Sequence, residues 1–416
     1  MRTRLHRLAV LAVLVPVSAG RAGAESRGPV ELAREIQGTV ETIRGLRFVR
    51  PVPVEIVDDA KARAHFASRA SKLWPREKLE HDQSALIQLG VLPAGVDILA
   101  SLLDVLEEQA GGYYDPETGA FYVLDDIPPH TAPILMAHEL THALDDQHFQ
   151  IDRLLSEGEL TDDRSTALAA VLEGSGTLVQ ALYTAAELRA GRLPPDLIQQ
   201  IQESEAGQAR KLKAAPHYLQ RALIAPYTLG PTFALRGDPL GGSSRSVSED
   251  LNTLFRRPPS STEQILHPEK YWSEESRDDP LPLELPALEG TLGEGWTLAS
   301  RGRLGELNLA ILTGAGVPDL GSAEAAEPRR WTNDAAAGIG GDVYHHYSGR
   351  DGEKVTVLAT VWDREQDARE FVAGLLPVRG RRTFHALDRV VLVAGDAPEP
   401  ARLAAAAMSG LRTGNE

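Results

Sequence analysis

Apolar residues recur along the chain with two different spacings, and each spacing predicts a different element. Over residues 30–43, 59–74 and 98–109 they return every three or four positions, which is the period of a helix with one packed face. Over residues 48–57 they alternate one by one, and the prolines among them suit the edge of a sheet. The chain is therefore predicted to open as a helix and a strand, followed by two further helices.

A hairpin followed by an amphipathic helix is predicted next. Residues 112–123 contain two aromatic-rich runs around a Pro-Glu-Thr-Gly turn, in which Gly119 can adopt a positive φ. In the helix predicted for residues 134–149, Pro133 suits the first turn and Thr131 can act as its cap. We expect this helix to pack through one face and to keep the opposite face for polar chemistry.

The remaining pattern divides into a helical middle and a mixed tail. Three helices are predicted for the middle, over residues 162–191, 195–214 and 218–225. The stretch 273–294, rich in Pro, Asp and Glu, is the predicted linker. The tail is predicted to contain two strands, a helix and a third strand, over residues 342–347, 355–362, 364–375 and 389–394. The predicted fold class is α+β, with a mostly helical domain that carries the hairpin over residues 25–285 and a small α+β domain over residues 286–416.

The first 24 residues have the pattern of a secretory signal peptide. Three arginines precede an apolar run at residues 8–17 that is too short to span a bilayer, and the sequence Ala-Gly-Ala24 supplies a cleavage site. No later segment is long and apolar enough to anchor the chain stably in a membrane. We expect cleavage after Ala24 and a product that is secreted or periplasmic.

The net charge of the chain restricts which partners it can bind, and its cysteine content restricts which cross-links it can form. The chain has 43 Lys and Arg against 59 Asp and Glu, a net charge of −16, which repels nucleic acid and anionic membranes. Because the chain has no cysteine, disulfide bonds are excluded, and any cross-link that stabilises the exported fold has to be a metal ion.

The strongest chemical signal is the sequence His138-Glu139-Leu-Thr-His142 within the helix predicted for residues 134–149. At about 100° per residue, His138 and His142 lie within about 40° of each other, so both imidazoles can reach one metal ion. Glu139 projects beside them, where it can deprotonate a water bound to that ion without being a ligand itself. This pattern predicts a catalytic zinc site.

Two residues compete to be the third ligand. His148 has the spacing of a longer zinc motif, but on a continuous helix it would point about 120° away from His142, so it requires a break near Asp145. Glu173 is the alternative. The neighbours of Glu173 at helical spacing are all small, namely Ala169, Ala170, Gly176 and Thr177. The helix of Glu173 can therefore lie close to the helix predicted for residues 134–149, with its carboxylate directed at the metal ion.

The sequence from His138 to Phe149, together with the later Leu-Glu173-Gly, resembles the gluzincin type of zinc metallopeptidase, to which thermolysin belongs. It is more similar still to a group of exported bacterial proteins, which share segments at residues 112–116, 226–230, 258–271, 340–342 and 362–363. The resemblance implies a zincin-like fold and a zinc ion, with His138, His142 and Glu173 as ligands and Glu139 as the general base.

One position departs from the gluzincin pattern. Thermolysin-like enzymes have an aspartate four residues after the ligand glutamate, where it orients a histidine, and this chain has Thr177 there. We expect Asp145 or Asp146 to take that role.

The function predicted first is hydrolysis of peptide bonds in a peptide or protein substrate, with Glu139 moving the proton from water to the leaving amine. Tyr227, His267 and Tyr271 are the candidates to stabilise the oxyanion. The predicted strand at residues 120–124 can either accept an extended peptide at its edge or be paired internally in the sheet.

Two other functions stay open. One is a non-catalytic exported binding or assembly protein with a structural zinc, and the other is a zinc amidase that acts on cell-wall peptides. The tail is expected to support folding or substrate docking. Its three histidines are predicted to lie at the surface, since neighbours on a strand face opposite sides; they are His345, His346 and His385.

Overall fold

The computed structural model describes residues 12–14, 28–73, 76–125, 127, 131–155, 161–197, 210–237, 246–319 and 322–414. Within these ranges the protein is an α+β molecule, as predicted. The predicted signal peptide lies outside the described residues except for 12–14, and so do residues 198–209 of the helix predicted over 195–214. None of the helices in the described ranges combines the length and apolar character of a membrane-crossing helix.

The chain up to residue 272 is mostly helical. Its elements are β1 (Ala12–Leu14), α1 (Pro29–Arg44), β2 (Val54–Val57), α2 (Asp59–Leu73), α3 (Arg76–Leu89), α4 (Ile98–Gln109), β3 (Ala110–Asp115), β4 (Ala120–Leu124), α5 (Ala132–Phe149), α6 (Ile151–Leu154), α7 (Asp162–Arg189), α8 (Arg210–Ala214), α9 (His217–Ala234), α10 (Val247–Arg256), α11 (Thr262–Leu266) and α12 (Glu269–Trp272).

The rest of the chain is mixed. Its elements are β5 (Leu283–Glu284), α13 (Glu289–Leu292), β6 (Thr297–Gly302), α14 (Gly305–Leu312), β7 (Ile339–Ser348), β8 (Lys354–Trp362), α15 (Glu365–Gly374), β9 (Arg382–Ala386), β10 (Arg389–Gly395), α16 (Pro400–Gly410) and β11 (Arg412–Thr413). Two 3₁₀ turns, at Ala323–Ala326 and Pro328–Arg330, precede β7.

The predicted hairpin is present as β3 and β4, and Gly119 has a φ of 68° at its turn. It belongs to a four-stranded sheet of order β1-β3-β4-β2, in which β2 runs parallel to β4. Of the strand predicted over 48–57 only Val54–Val57 forms, because Pro51 and Pro53 lack the N–H groups that a ladder uses. Since β4 is paired on both sides, the prediction that it accepts an extended peptide is wrong.

Helix α5 differs from its prediction because it is buried on every side. From Ile134 to Asp146 each of its residues is buried, and the helix packs against β3, α1 and α7. Thr131 stands at the N-cap position, but its side chain makes no capping hydrogen bond. The polar face that the sequence assigns to chemistry is therefore covered by another helix rather than by solvent.

Helix α9 extends nine residues beyond its predicted end at residue 225, through Pro226 and Pro231. A proline inside a helix removes a hydrogen bond, so packing has to hold this segment. Gly174 of α7 and Gly230 of α9 let the two backbones meet, because a Cβ at Gly174 would lie 2.7 Å from the carbonyl carbon of Gly230.

The tail forms a five-stranded sheet of order β6-β7-β8-β10-β9. The predicted succession of strand, strand, helix and strand is confirmed as β7, β8, α15 and β10, while β6, β9, α16 and the earlier α3 were not predicted. His345 and His346 are buried, against expectation, because β7 lies inside the sheet and both of its faces are covered. His385 is exposed as predicted.

The predicted linker packs as part of the tail. Leu283, Leu288 and Leu292 are buried in a hydrophobic core under one face of the five-stranded sheet. The other core is continuous from Ala33 in α1 to Leu392 in β10, so apolar contacts join the two predicted domains. The division of the chain at residue 285 stays a prediction.

Candidate metal centre

Three ligand-type side chains converge where α5 packs against α7. The Nε2 atoms of His138 and His142 lie 3.1 Å and 3.5 Å from one oxygen, Oε2, of Glu173. The potential ligand atoms of the three residues all lie within 4.8 Å of one another. His138, His142 and Glu173 are 0%, 2% and 1% exposed, so this site is shielded from bulk solvent. Of the two residues that the sequence left as rivals, the structure therefore brings Glu173 to the histidines.

The donor set and its spacing fit a zinc ion. Imidazole nitrogen and carboxylate oxygen are ligands that zinc takes at about 2.1 Å, and two such ligands in a tetrahedral arrangement lie about 3.4 Å apart. A buried carboxylate also needs a positive partner. Burial alone raises the pKa of Glu173, but the charge of His142 and hydrogen bonds from both histidines outweigh burial and lower it.

Small residues on α7 make this convergence possible. A Cβ at Gly176 would lie 2.5 Å from Nε2 of His138, so any other residue there would displace the imidazole. Gly174 faces the opposite way and admits the backbone of α9. The close approach expected from the small neighbours of Glu173 is present, and it places α7 between α5 and α9.

A residue that the sequence analysis missed orients one histidine. Oε1 of Gln180 lies 3.1 Å from Nδ1 of His138, on the side of the ring away from Glu173. Gln180 follows Glu173 by seven residues, which puts the two within about 20° on the helix, so the helical period could have indicated it. The buried Nδ1 of His142 has no hydrogen-bond partner among the described residues.

The expectation that Asp145 or Asp146 orients a histidine is wrong. Asp145 accepts hydrogen bonds from Arg44 and from Ser175 instead. Asp146 accepts from the hydroxyl of Tyr114 at 2.8 Å and from a backbone N–H at the start of α6 at 2.9 Å.

Glu139 and Tyr227 border the same site. Oε2 of Glu139 accepts a hydrogen bond of 2.7 Å from the backbone N–H of Tyr114 in β3, which fixes the carboxylate between the hairpin and α5. The ring of Tyr227 stacks on His138, with ring centroids 6.0 Å apart and an angle of 24° between the planes. Burial, followed by the charges of Glu173 and Glu139, raises the pKa of Tyr227, so its hydroxyl keeps its proton.

Three other predicted candidates lie elsewhere. Helix α5 stays continuous until the left-handed residue Gln150, so His148 points outward, where its Nε2 lies 2.8 Å from the backbone oxygen of Arg47. His267 pairs with Glu306, with Nε2 3.1 Å from both carboxylate oxygens. The hydroxyl of Tyr271 donates a hydrogen bond of 2.5 Å to the backbone carbonyl of Arg257, the residue that follows α10. The prediction of a catalytic role for His267 is not supported by its position.

The family whose sequence model matches this chain covers its tail. The sequence model of a family described as a domain of unknown function (DUF8575) matches residues 297–402, which include the five-stranded sheet but no residue of the metal centre. No curated protein matches the chain. A solved structure from Chloroflexus aurantiacus, described as "a putative hydrolase with a novel fold", is similar over 66% of this chain and 97% of that one, with 19% sequence identity and a TM-score of 0.39.

Proposed function

We propose that the protein is an exported zinc-dependent hydrolase of peptide bonds, of the gluzincin type. The observation that carries this proposal is the convergence of His138, His142 and Glu173 from two helices, with Glu139 beside them. A predicted signal peptide over residues 1–24 supports the export.

The residues of the site divide the chemistry among them. A zinc ion held by His138, His142 and Glu173 would acidify a water molecule and polarise the carbonyl of the substrate. Glu139 accepts the proton of the attacking water and returns it to the leaving amine. Tyr227 keeps its hydroxyl proton and can donate a hydrogen bond to the oxygen on which negative charge develops. Gln180 holds the ring of His138 in place.

The burial of the centre sets a condition on this activity. Glu139 is 0% exposed and no metal-binding side chain is more than 2% exposed. A peptide can reach Glu139 only if the elements that cover the site move apart. We infer that substrate binding opens the contact between the β3–β4 hairpin, which bonds Glu139, and the helices below it.

The same burial favours a second candidate function. A site closed to solvent suits a structural zinc, and a chain without cysteine has no disulfide to stabilise an exported fold. In that case zinc removal lowers the unfolding temperature and no substrate is cleaved.

The test is to compare the wild type with Glu139→Gln for bound zinc and for cleavage of casein, synthetic peptides and cell-wall peptides. We expect the variant to keep its zinc and to lose about 10²- to 10⁴-fold in cleavage rate, since a general base contributes that much. Glu187→Gln is a matched control, because Glu187 is a buried glutamate of α7 that bonds Arg192 instead. Zinc retained with no cleavage by the wild type would support the structural role, and cleavage of the cell-wall peptides alone would indicate an amidase.

A further inference from the structure

Three fully buried polar side chains form a bridge behind the metal centre. Nε of Arg44, at the end of α1, donates a hydrogen bond of 2.8 Å to Oδ1 of Asp145 in α5. The other carboxylate oxygen, Oδ2, accepts a hydrogen bond of 2.6 Å from Oγ of Ser175 in α7. All three residues are 0% exposed. The bridge therefore joins the two helices that carry the metal ligands to a third helix.

The far end of the bridge is itself held in place. Nη1 of Arg44 donates 2.8 Å to Oδ1 of Asn252 in α10, and the guanidinium lies 5.8 Å and 5.6 Å from the ring centroids of Phe149 and Phe255. Because Asn252 and Phe255 of α10 hold the guanidinium of Arg44, it cannot move along with Asp145 if α5 shifts along its own axis. Arg44 is therefore a fixed hydrogen-bond partner for Asp145.

The bridge lies within one helical turn of the metal ligands on both helices, so a shift that breaks the bridge also moves the ligands. Asp145 follows His142 by three residues, less than one helical turn, and Ser175 follows Glu173 by two. A slip of α7 along α5 by one residue is a shift of about 1.5 Å, which would break the 2.6 Å hydrogen bond and carry Glu173 away from the histidines by a similar amount. The residue next to Ser175 is Gly176, which admits the His138 ring.

We propose that Asp145, held between Arg44 and Ser175, is a positioning residue that sets the axial alignment of α5 and α7 and thereby the distance between the zinc ligands. This inference rests on the proposed zinc site. It differs from direct orientation of a ligand, because Asp145 acts through Ser175 and through the register of two helices. An apolar pair would hold the helices together without selecting one register, whereas a hydrogen-bonded carboxylate selects a single one.

The experiment uses the full chain and compares Ser175→Ala with Ser165→Ala. Ser165 is a buried serine of the same helix whose hydroxyl has no hydrogen-bond partner among the described residues, so both variants lose one buried hydroxyl. We expect Ser175→Ala to weaken zinc binding by about 10- to 100-fold, the range seen when an outer hydrogen bond of a metal site is removed. We also expect its cobalt(II) absorption spectrum to change, while Ser165→Ala keeps wild-type zinc affinity and spectrum.

A second variant and a stability measurement complete the test. Asp145→Asn keeps the size of the side chain but accepts from only one of its two donors at a time, so it should weaken zinc binding in the same direction if Ser175→Ala does not fold. The unfolding temperature of the metal-free protein should be lower for Ser175→Ala than for Ser165→Ala, because Oδ2 of the buried Asp145 loses its donor, so zinc binding is measured at a temperature well below both unfolding transitions. Wild-type zinc affinity and cobalt spectrum in both Ser175→Ala and Asp145→Asn would overturn the positioning role alone. A wild type that binds no zinc would overturn the proposed function and this inference together.

Discussion

Two groups of three ligand-type side chains come together in the part of the chain that the structure describes, and they differ in what lies at their centre. In the metal centre, no lysine or arginine of the described residues pairs with Glu173, and two imidazoles face it. In the other group, Glu263, Asp278 and Asp363 surround the ammonium of Lys270, at 2.6, 2.8 and 3.2 Å from its Nζ. We name this second group the Lys270 cluster.

The comparison shows that the proximity of carboxylates does not by itself make a metal site. An ammonium has three donors, and the Lys270 cluster supplies three acceptors, so the hydrogen-bonding capacity of the lysine is filled and part of the negative charge is compensated. Burial alone lowers the pKa of Lys270, but the charge of Glu263 and the hydrogen bonds that the lysine donates to Asp278 and Glu263 outweigh burial and raise that pKa, so the lysine stays protonated. The candidate metal centre instead combines one carboxylate with two imidazoles, and no lysine or arginine of the described residues pairs with that carboxylate.

The negative charge of another buried carboxylate, that of Asp163, is removed by a proton rather than by a cation. Oδ1 of Asp163 accepts from the backbone N–H and the hydroxyl of Thr262, each at 2.6 Å. Burial raises the pKa of Asp163 to about 7, despite these hydrogen bonds, and the charge of Asp342 adds to that effect. Buried acids in this molecule are thus expected to be neutralised by a metal ion, by a lysine or by a proton, according to their neighbours.

The largest expected effect is on zinc content, which should depend on the candidate metal centre and not on the Lys270 cluster. In Glu173→Ala the bound zinc should fall from about one ion per chain to background, because two histidines alone do not hold the ion. Glu263→Ala and His148→Ala should both keep their zinc, and elemental analysis of the purified proteins measures all three. Zinc lost from His148→Ala and kept by Glu173→Ala would reverse the assignment of the third ligand.

An intermediate effect, on the free energy of unfolding, is expected when the ammonium of Lys270 is removed from the Lys270 cluster. Lys270→Met leaves the buried Glu263 without its cationic partner, and the loss of a partner for a buried polar group costs about 1 to 3 kcal/mol of unfolding free energy. Millimolar calcium should restore part of that loss in the variant and do nothing for the wild type, because the variant exposes an all-oxygen site. Chemical denaturation with and without calcium provides the measurement. Unchanged stability without a calcium response would mean that the cluster is solvated.

The third effect is a change of stability per unit of pH, and it concerns the proton on Asp163. The unfolded chain releases this proton near the ordinary pKa of 3.8, whereas the folded protein keeps it until about pH 7. Between those values the folded state binds the extra proton, so its stability falls as the pH rises, by at most about 1.4 kcal/mol per pH unit. Asp163→Asn should remove this slope, which unfolding measurements from pH 4 to 8 would show. Equal slopes in the variant and the wild type would contradict a proton on Asp163.

The local part of the metal centre was predictable from the chain. The spacing of His138 and His142 puts them on one helical face whatever surrounds the helix, and the small residues around Glu173 indicated a close helix contact. Gln180 lies on the same face as Glu173 and could have been inferred by the same period. The pairing of His267 with Glu306 was not predictable, because nothing in the neighbourhood of His267 along the chain reveals a partner 39 residues away.

The covering of the site was not predictable. The apolar stripe of α5 indicated one packed face, and the structure buries the other face as well, because Gly176 lets α7 pack closely against it. His345 and His346 were expected at the surface for a related reason. A strand pattern tells which side chains share a face, but not whether another strand or helix covers that face.

The sequence by itself determined the α+β class, the hairpin before the metal helix and the pairing of two histidines with an adjacent glutamate, because helix and strand periods are local properties of the chain. Only the tertiary structure decided that Glu173 rather than His148 joins them, that Asp145 bonds Arg44 and Ser175, and that a lysine already fills the second acidic group. Those outcomes depend on which helices pack against each other and in which register, and the packing energy that selects them is spread over residues far apart in the chain.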